Sequence, residues 1–117
     1  MSQATIYHNP RCSKSRASLA LLESNHIDTE VIKYLETPPS ADDLQSICAL
    51  LSCSPRDLLR TGEAEYKTAG MDDMSLTDYE LLTLMSQHPK VIQRPIVVYK
   101  NQAVIGRPPE NVLALLA

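Results

Sequence analysis

Apolar and polar positions along the chain mark out two β regions with a helical block between them. Ala4 to His8 reads as a short strand, with Ile6 as its clearest core position. Ser13 to Ser24 reads as a helix whose broad apolar face is made by Ala17, Leu19, Ala20, Leu21 and Leu22, and Asn25 is placed to end it in the left-handed conformation. Val31 to Leu35 reads as a second strand. A helix between two strands implies a parallel, right-handed crossover.

Thr37-Pro38-Pro39 breaks that pattern. Ser40 and Asp43 then form a capping-box start, with Leu44, Ile47, Cys48 and Leu51 following on one helical face. Ser54-Pro55-Arg56-Asp57 repeats the signal, with proline at the first helical position and Gly62 as the expected stop. Residues 63–75 are polar and read as a loop or a short irregular helix. Thr77 and Glu80 make a third capping box, and Leu81, Leu82, Leu84 and Met85 carry a helix that ends before Pro89. Pro95 opens a β-branched run to Tyr99, Lys100-Asn101-Gln102 suits a tight turn, and Ala103 to Gly106 returns as the second arm of a hairpin. Glu110 to Leu116 reads as a short C-terminal helix with Val112, Leu115 and Leu116 inward. The expected class is α/β: a small mixed sheet in the order βαβ, helices, ββα. Its 117 residues suit one domain, with a helical insert at about residues 40–88.

Composition narrows this picture. The chain is 44% hydrophobic but has no Phe or Trp, so its core must be aliphatic. Eleven basic and fourteen acidic residues give a net charge of −3, which argues against a nucleic-acid partner. No basic-then-apolar leader opens the chain and no stretch is long enough to span a membrane, so cytoplasmic residence is expected. The three cysteines, Cys12, Cys48 and Cys53, suit neither a disulfide framework nor a zinc site, and no metal is expected.

The most informative stretch is Ile6 to Arg16. A strand ends near His8, Asn9-Pro10 turns, and a helix starts just after Cys12. A cysteine at that point faces unpaired N–H groups and the positive end of the helix dipole. Arg11, Lys14 and Arg16 lie close by in sequence, and His8 is four residues upstream. Each favours thiolate over thiol, and the N–H groups suit an oxyanion. The competing reading is an inert buried cysteine, and three basic neighbours are odd company for one. Cys48 lies on an apolar helical face and reads as a small core residue. Cys53 lies just past that helix and is a candidate resolving thiol, but its only basic neighbour is Arg56, and the inert reading is preferred.

The His8-Asn9-Pro10-x-Cys12-x-x-Ser15-Arg16 run, the helical insert and Arg94-Pro95-Ile96 together resemble the arsenate reductase family, of the type coupled to glutathione and glutaredoxin. The resemblance covers essentially the whole chain and implies a thioredoxin-like fold. It implies Cys12 as the catalytic cysteine. It implies Arg60, Arg94 and Arg107 as oxyanion-handling arginines, and His8, Ser15 and Arg16 as stabilisers of the thiolate. Pro95 falls where thioredoxin-like proteins carry a cis-proline beside the active cysteine. The departure is Ser13-Lys14, where the best-known members carry Gly-Thr, and this marks a divergent branch. The implied activity is reduction of arsenate to arsenite, as in arsenical resistance, with no bound cofactor and with glutathione as co-substrate.

That chemistry suits these residue types. A tetrahedral oxyanion needs N–H donors and fixed positive charge, and guanidinium supplies both. The motif holds one thiol, so an external thiol must resolve the adduct. Two other classes share the features: a glutathione-dependent thiol reductase, and a redox-sensing regulator similar to Spx that contacts RNA polymerase. The regulator usually carries Cys-x-x-Cys, and Ser15 here replaces the second cysteine.

Overall fold

The computed structural model describes residues 3–116. Two compact units account for the chain: Met1–Thr37 with Arg94–Ala117, and Pro38–Gln93.

The first unit is built on a four-stranded sheet. Strand β1 (Ala4–His8) leads into helix α1 (Ser13–Ser24) and then strand β2 (Thr29–Lys33). Strands β3 (Ile96–Tyr99) and β4 (Gln102–Ile105) form the hairpin, and a 3-10 segment, Pro109–Leu116, closes the unit. The strand order is β2-β1-β3-β4. β1 and β2 are parallel, β1 and β3 antiparallel, and β3 and β4 antiparallel. This is the mixed thioredoxin-like sheet expected from the sequence. Lys100 and Asn101 both have positive φ, so the hairpin turn takes two residues and Gln102 already belongs to β4.

Period-two burial along β1 puts Ala4, Ile6 and His8 on one face. That face packs with Leu22, Val97, Tyr99, Val112 and Leu115 into an aliphatic core. His8 is thus the polar end of a core row.

Several boundaries differ from the expectations. β2 begins two residues earlier, because its parallel register sets Ala4 against Thr29 and His8 against Lys33; Tyr34 and Leu35 fall in the following turn. The buried positions of α1 are Ser15, Ser18 and Leu22, while Ala17 and Ala20 are exposed. Small residues are needed there because Gly106 comes in against Ser18: a Cβ at Gly106 would meet the Ser18 hydroxyl and lie 2.8 Å from Cγ of Pro95. Asn25 is not left-handed; His26 is, at φ 60°. His26 N–H donates to Glu23 O and Ile27 N–H to Leu22 O, a Schellman end that returns Ile27 to the core.

In the second unit, α2 (Ala41–Leu51) and α4 (Asp78–Gln87) start at the predicted capping boxes, with Ser40 Oγ accepting from Asp43 N and Thr77 Oγ1 from Glu80 N. Leu44, Ile47 and Cys48 are buried on α2, and Leu81, Leu82 and Met85 on α4. The segment after Ser54 is a single 3-10 turn, Pro55–Leu58, and does not run on to Gly62. Leu59 is extended and bridges Ile92, and Arg60 N–H donates to Val91 O at 2.6 Å, so backbone pairing ends the turn. Residues 64–68 form a short helix α3 (Ala64–Thr68), which stops at Gly70 with φ 79°. No described helix is long and apolar enough to cross a membrane.

Candidate active site

The site is built where β1 hands over to α1. Asn9 organises the turn: its carbonyl accepts from Cys12 N–H at 2.9 Å and its side-chain oxygen from Arg11 N–H at 3.0 Å. Its own N–H donates to Ser15 Oγ at 3.0 Å, tying the turn to the first turn of α1. Cys12 is the N-cap residue, extended at φ −94° and ψ 122°, and half-buried. Its thiol therefore sits beside the free N–H groups that open the helix.

Burial pushes the Cys12 thiol up, but hydrogen bonds outweigh it and its pKa lies below the ordinary value. The Ser15 backbone N–H is the strongest of these, followed by the Arg94 guanidinium and the Lys14 backbone N–H. The sequence-based reason was different. The side-chain charges of Arg11, Lys14 and Arg16 do not set this titration. Arg16 turns back to donate to Pro10 O at 2.9 Å and clamps the loop, while Lys14 acts through its main chain.

Arg94 and Arg107 arrive from the far end of the sequence. Arg94 precedes Pro95 through a cis peptide bond, as expected for this position. Arg107 Nη1 lies 3.9 Å from Cys12 Sγ and donates to Arg94 O at 3.3 Å. Arg107 thus donates to the sulfur at the long end of a sulfur hydrogen bond, and Arg94 is the leading side-chain influence that lowers the thiol. Arg60 belongs to the helical unit, where Nη1 stands 3.3 Å from Glu63 Oε1.

His8 and Ser15 meet directly, Nδ1 to Oγ at 2.6 Å. Burial lowers the pKa of His8, and the cations Lys33 and Arg16 lower it further. Neutral His8 thus braces Ser15, and Ser15 presents its N–H to the sulfur. Of the two, Ser15 acts on the Cys12 thiol through its main chain, and His8 contacts Ser15.

Tyr34 escaped the sequence reading, which placed it inside β2. It is 1% exposed, and its buried hydroxyl has no acceptor for its own proton among the described residues, while the Arg94 and Asn9 side chains act on its oxygen as donors. Arg94, Cys12 and Asn9 all act on its titration. The available signal was positional: Tyr34 directly follows the parallel pair His8–Lys33, and the carboxyl ends of such strands are where α/β sheets bind ligands.

Cys48 and Cys53 are a separate pair in the helical unit. Ser52 is left-handed at φ 54°, and Cys53 N–H donates to Cys48 O at 3.1 Å, which brings the two cysteines close enough for each thiol to act on the other's titration. Burial, then the Cys53 charge and hydrogen bond, push Cys48 up to about 12. Burial also raises Cys53. Neither has the character of a nucleophile. Among the described residues, no cluster of His, Cys, Asp or Glu is placed to hold a metal.

The chain is similar over nearly its whole length to proteins named arsenate reductase. A curated protein of Neisseria meningitidis serogroup A named arsenate reductase is 44% identical over 117 residues, covering 99% of this chain and 100% of its own. The Escherichia coli protein YfgD is 47% identical over 115 residues, covering 97% of each. The solved structure of arsenate reductase from Vibrio cholerae superposes with a TM-score of 0.92 at 48% identity, over 97% of this chain and 98% of that one. The ArsC family model matches residues 7–115, and the chain belongs to the ArsC family.

Proposed function

We propose that this protein is an arsenate reductase that works with glutathione and glutaredoxin in the cytoplasm. The observation that carries the reading is the Cys12 thiol, lowered by the Ser15 and Lys14 N–H groups and by Arg94. The names of its full-length relatives supply the oxyanion.

In this reading the Cys12 thiolate attacks the arsenic of arsenate, and one oxygen leaves as hydroxide or water. Arg94, Arg107 and the helix N–H groups hold the remaining oxygens. Arg60 takes the same duty on the family resemblance alone. Glutathione thiolate then attacks the Cys12 sulfur. The electron pair of the sulfur–arsenic bond leaves with arsenic, which departs as arsenite. The Cys12–glutathione disulfide is reduced by a glutaredoxin thiolate. Three free cysteines, with Cys48 buried and both Cys48 and the half-buried Cys53 raised rather than lowered in pKa, support an external resolving thiol and a reducing compartment.

The test is arsenate-dependent NADPH oxidation through glutathione reductase, with and without glutaredoxin. The native protein turns over, Cys12→Ser does not, and a Cys48→Ser/Cys53→Ser double variant keeps most activity. A folded double variant with no activity moves the mechanism to an internal disulfide. Thiol reductase activity without arsenate turnover overturns the oxyanion reading.

A further inference from the structure

The Tyr34 hydroxyl is an anomaly in the first unit. A buried phenol normally finds an acceptor, and leaving one without a partner costs about 1–3 kcal/mol. Phenylalanine would fill the same space without that penalty. Arg94 Nε is buried and unpartnered as well. Both groups are donors, and the strand register brings them to one place. Tyr34 follows Lys33, the register partner of His8, while Asn9 follows His8 and holds Cys12 N–H. Arg94 leads into β3, which flanks β1 on its other side. The Arg94 and Asn9 side chains act on the Tyr34 oxygen as donors, so what lacks an acceptor is the proton of that hydroxyl, together with Arg94 Nε. Two donor hydrogens without acceptors beside the cysteine imply an acceptor that arrives with the ligand.

We infer that Tyr34 is an oxyanion contact: its hydroxyl, beside Arg94 Nε, donates a hydrogen bond to an oxygen of the tetrahedral anion seated on Cys12. This inference rests on the oxyanion reading above and adds a neutral donor to the guanidinium and main-chain donors. Burial raises the Tyr34 pKa, so the group remains a donor at neutral pH.

The experiment is protection of Cys12 from iodoacetamide by arsenate, measured without glutathione on the native protein and on Tyr34→Phe. In the native protein arsenate slows alkylation. In Tyr34→Phe the arsenate concentration for half-protection rises by about tenfold or more, the usual weight of a hydrogen bond to a charged group. The alkylation rate without arsenate keeps its pH midpoint, which shows that the thiol itself is undisturbed. The urea midpoint of Tyr34→Phe is close to native, because the buried proton without an acceptor is removed together with the oxygen that Arg94 and Asn9 face. In turnover the loss lies mainly in KM for arsenate.

Other outcomes overturn the inference in separable ways. If arsenate does not protect native Cys12, the oxyanion reading and the Tyr34 role fall together. If it protects both proteins equally, only the Tyr34 role falls. If Tyr34→Phe raises the Cys12 midpoint, the hydroxyl serves the sulfur and not the oxyanion. If the variant loses stability and keeps protection, the hydroxyl is structural.

Discussion

The Ser15 hydroxyl stands 2.6 Å from Nδ1 of His8, and the N–H of the same Ser15 is the strongest influence lowering the Cys12 thiol. One residue therefore has two duties, divided between side chain and main chain. The side chain binds the end of β1 to the first turn of α1, and the main chain meets the sulfur.

Ser15→Ala separates those duties. Ser15 is fully buried, and Asn9 N–H and His8 Nδ1 both use its hydroxyl. Removing it leaves buried partners unpaired, so urea denaturation should show a loss of about 1–3 kcal/mol. The Cys12 alkylation midpoint should move less than in Arg94→Ala, because the N–H remains.

Arg94→Ala should do the reverse. The guanidinium is the leading side-chain group that lowers Cys12, so its loss raises the alkylation midpoint toward that of an ordinary thiol. Arsenate turnover should fall by about a hundredfold or more, as when an oxyanion donor is removed. Steady-state kinetics beside a urea titration check that activity falls further than stability.

His8 gives the fold a pH dependence with a defined sign. Its folded pKa lies below the reference of 6.5 through burial and the Lys33 and Arg16 charges. The unfolded chain therefore binds more protons at this position as the solution acidifies. The stability from neutral His8 is fully present above pH 6.5 and is lost as pH falls through the folded value. Urea midpoints across this range should decline on acidification. His8→Gln, which does not titrate, should flatten the profile there.

Gly106→Ala tests the packing beneath the site. The new Cβ would press on the Ser18 hydroxyl and lie 2.8 Å from the Pro95 ring, which cannot rotate away. Overpacking of this kind costs about 1–3 kcal/mol. A fall in thermal midpoint checks it, and an unchanged midpoint would show that α1 shifts freely over β4.

What the sequence determined by itself is what depends on near neighbours. β1 and α1 fall where apolar spacing and the Asn9-Pro10 turn put them. α2 and α4 begin at Ser40 and Thr77 because a capping box closes within four residues. Cys12 at a helix start was legible for the same reason. The source of its lowered pKa was not. Arg11, Lys14 and Arg16 are close in sequence, yet Arg16 folds back on Pro10 O and Lys14 contributes only its N–H. Helix rotation decides where such side chains go, and the tertiary structure decides what takes their place. Arg94 and Arg107 reach Cys12 only because β3 and β4 pair beside β1. Tyr34 joins them only because the register of β2 ends that strand at Lys33. Strand pairing between distant segments sets that register, and no periodicity within either segment encodes which buried hydroxyl is left without an acceptor.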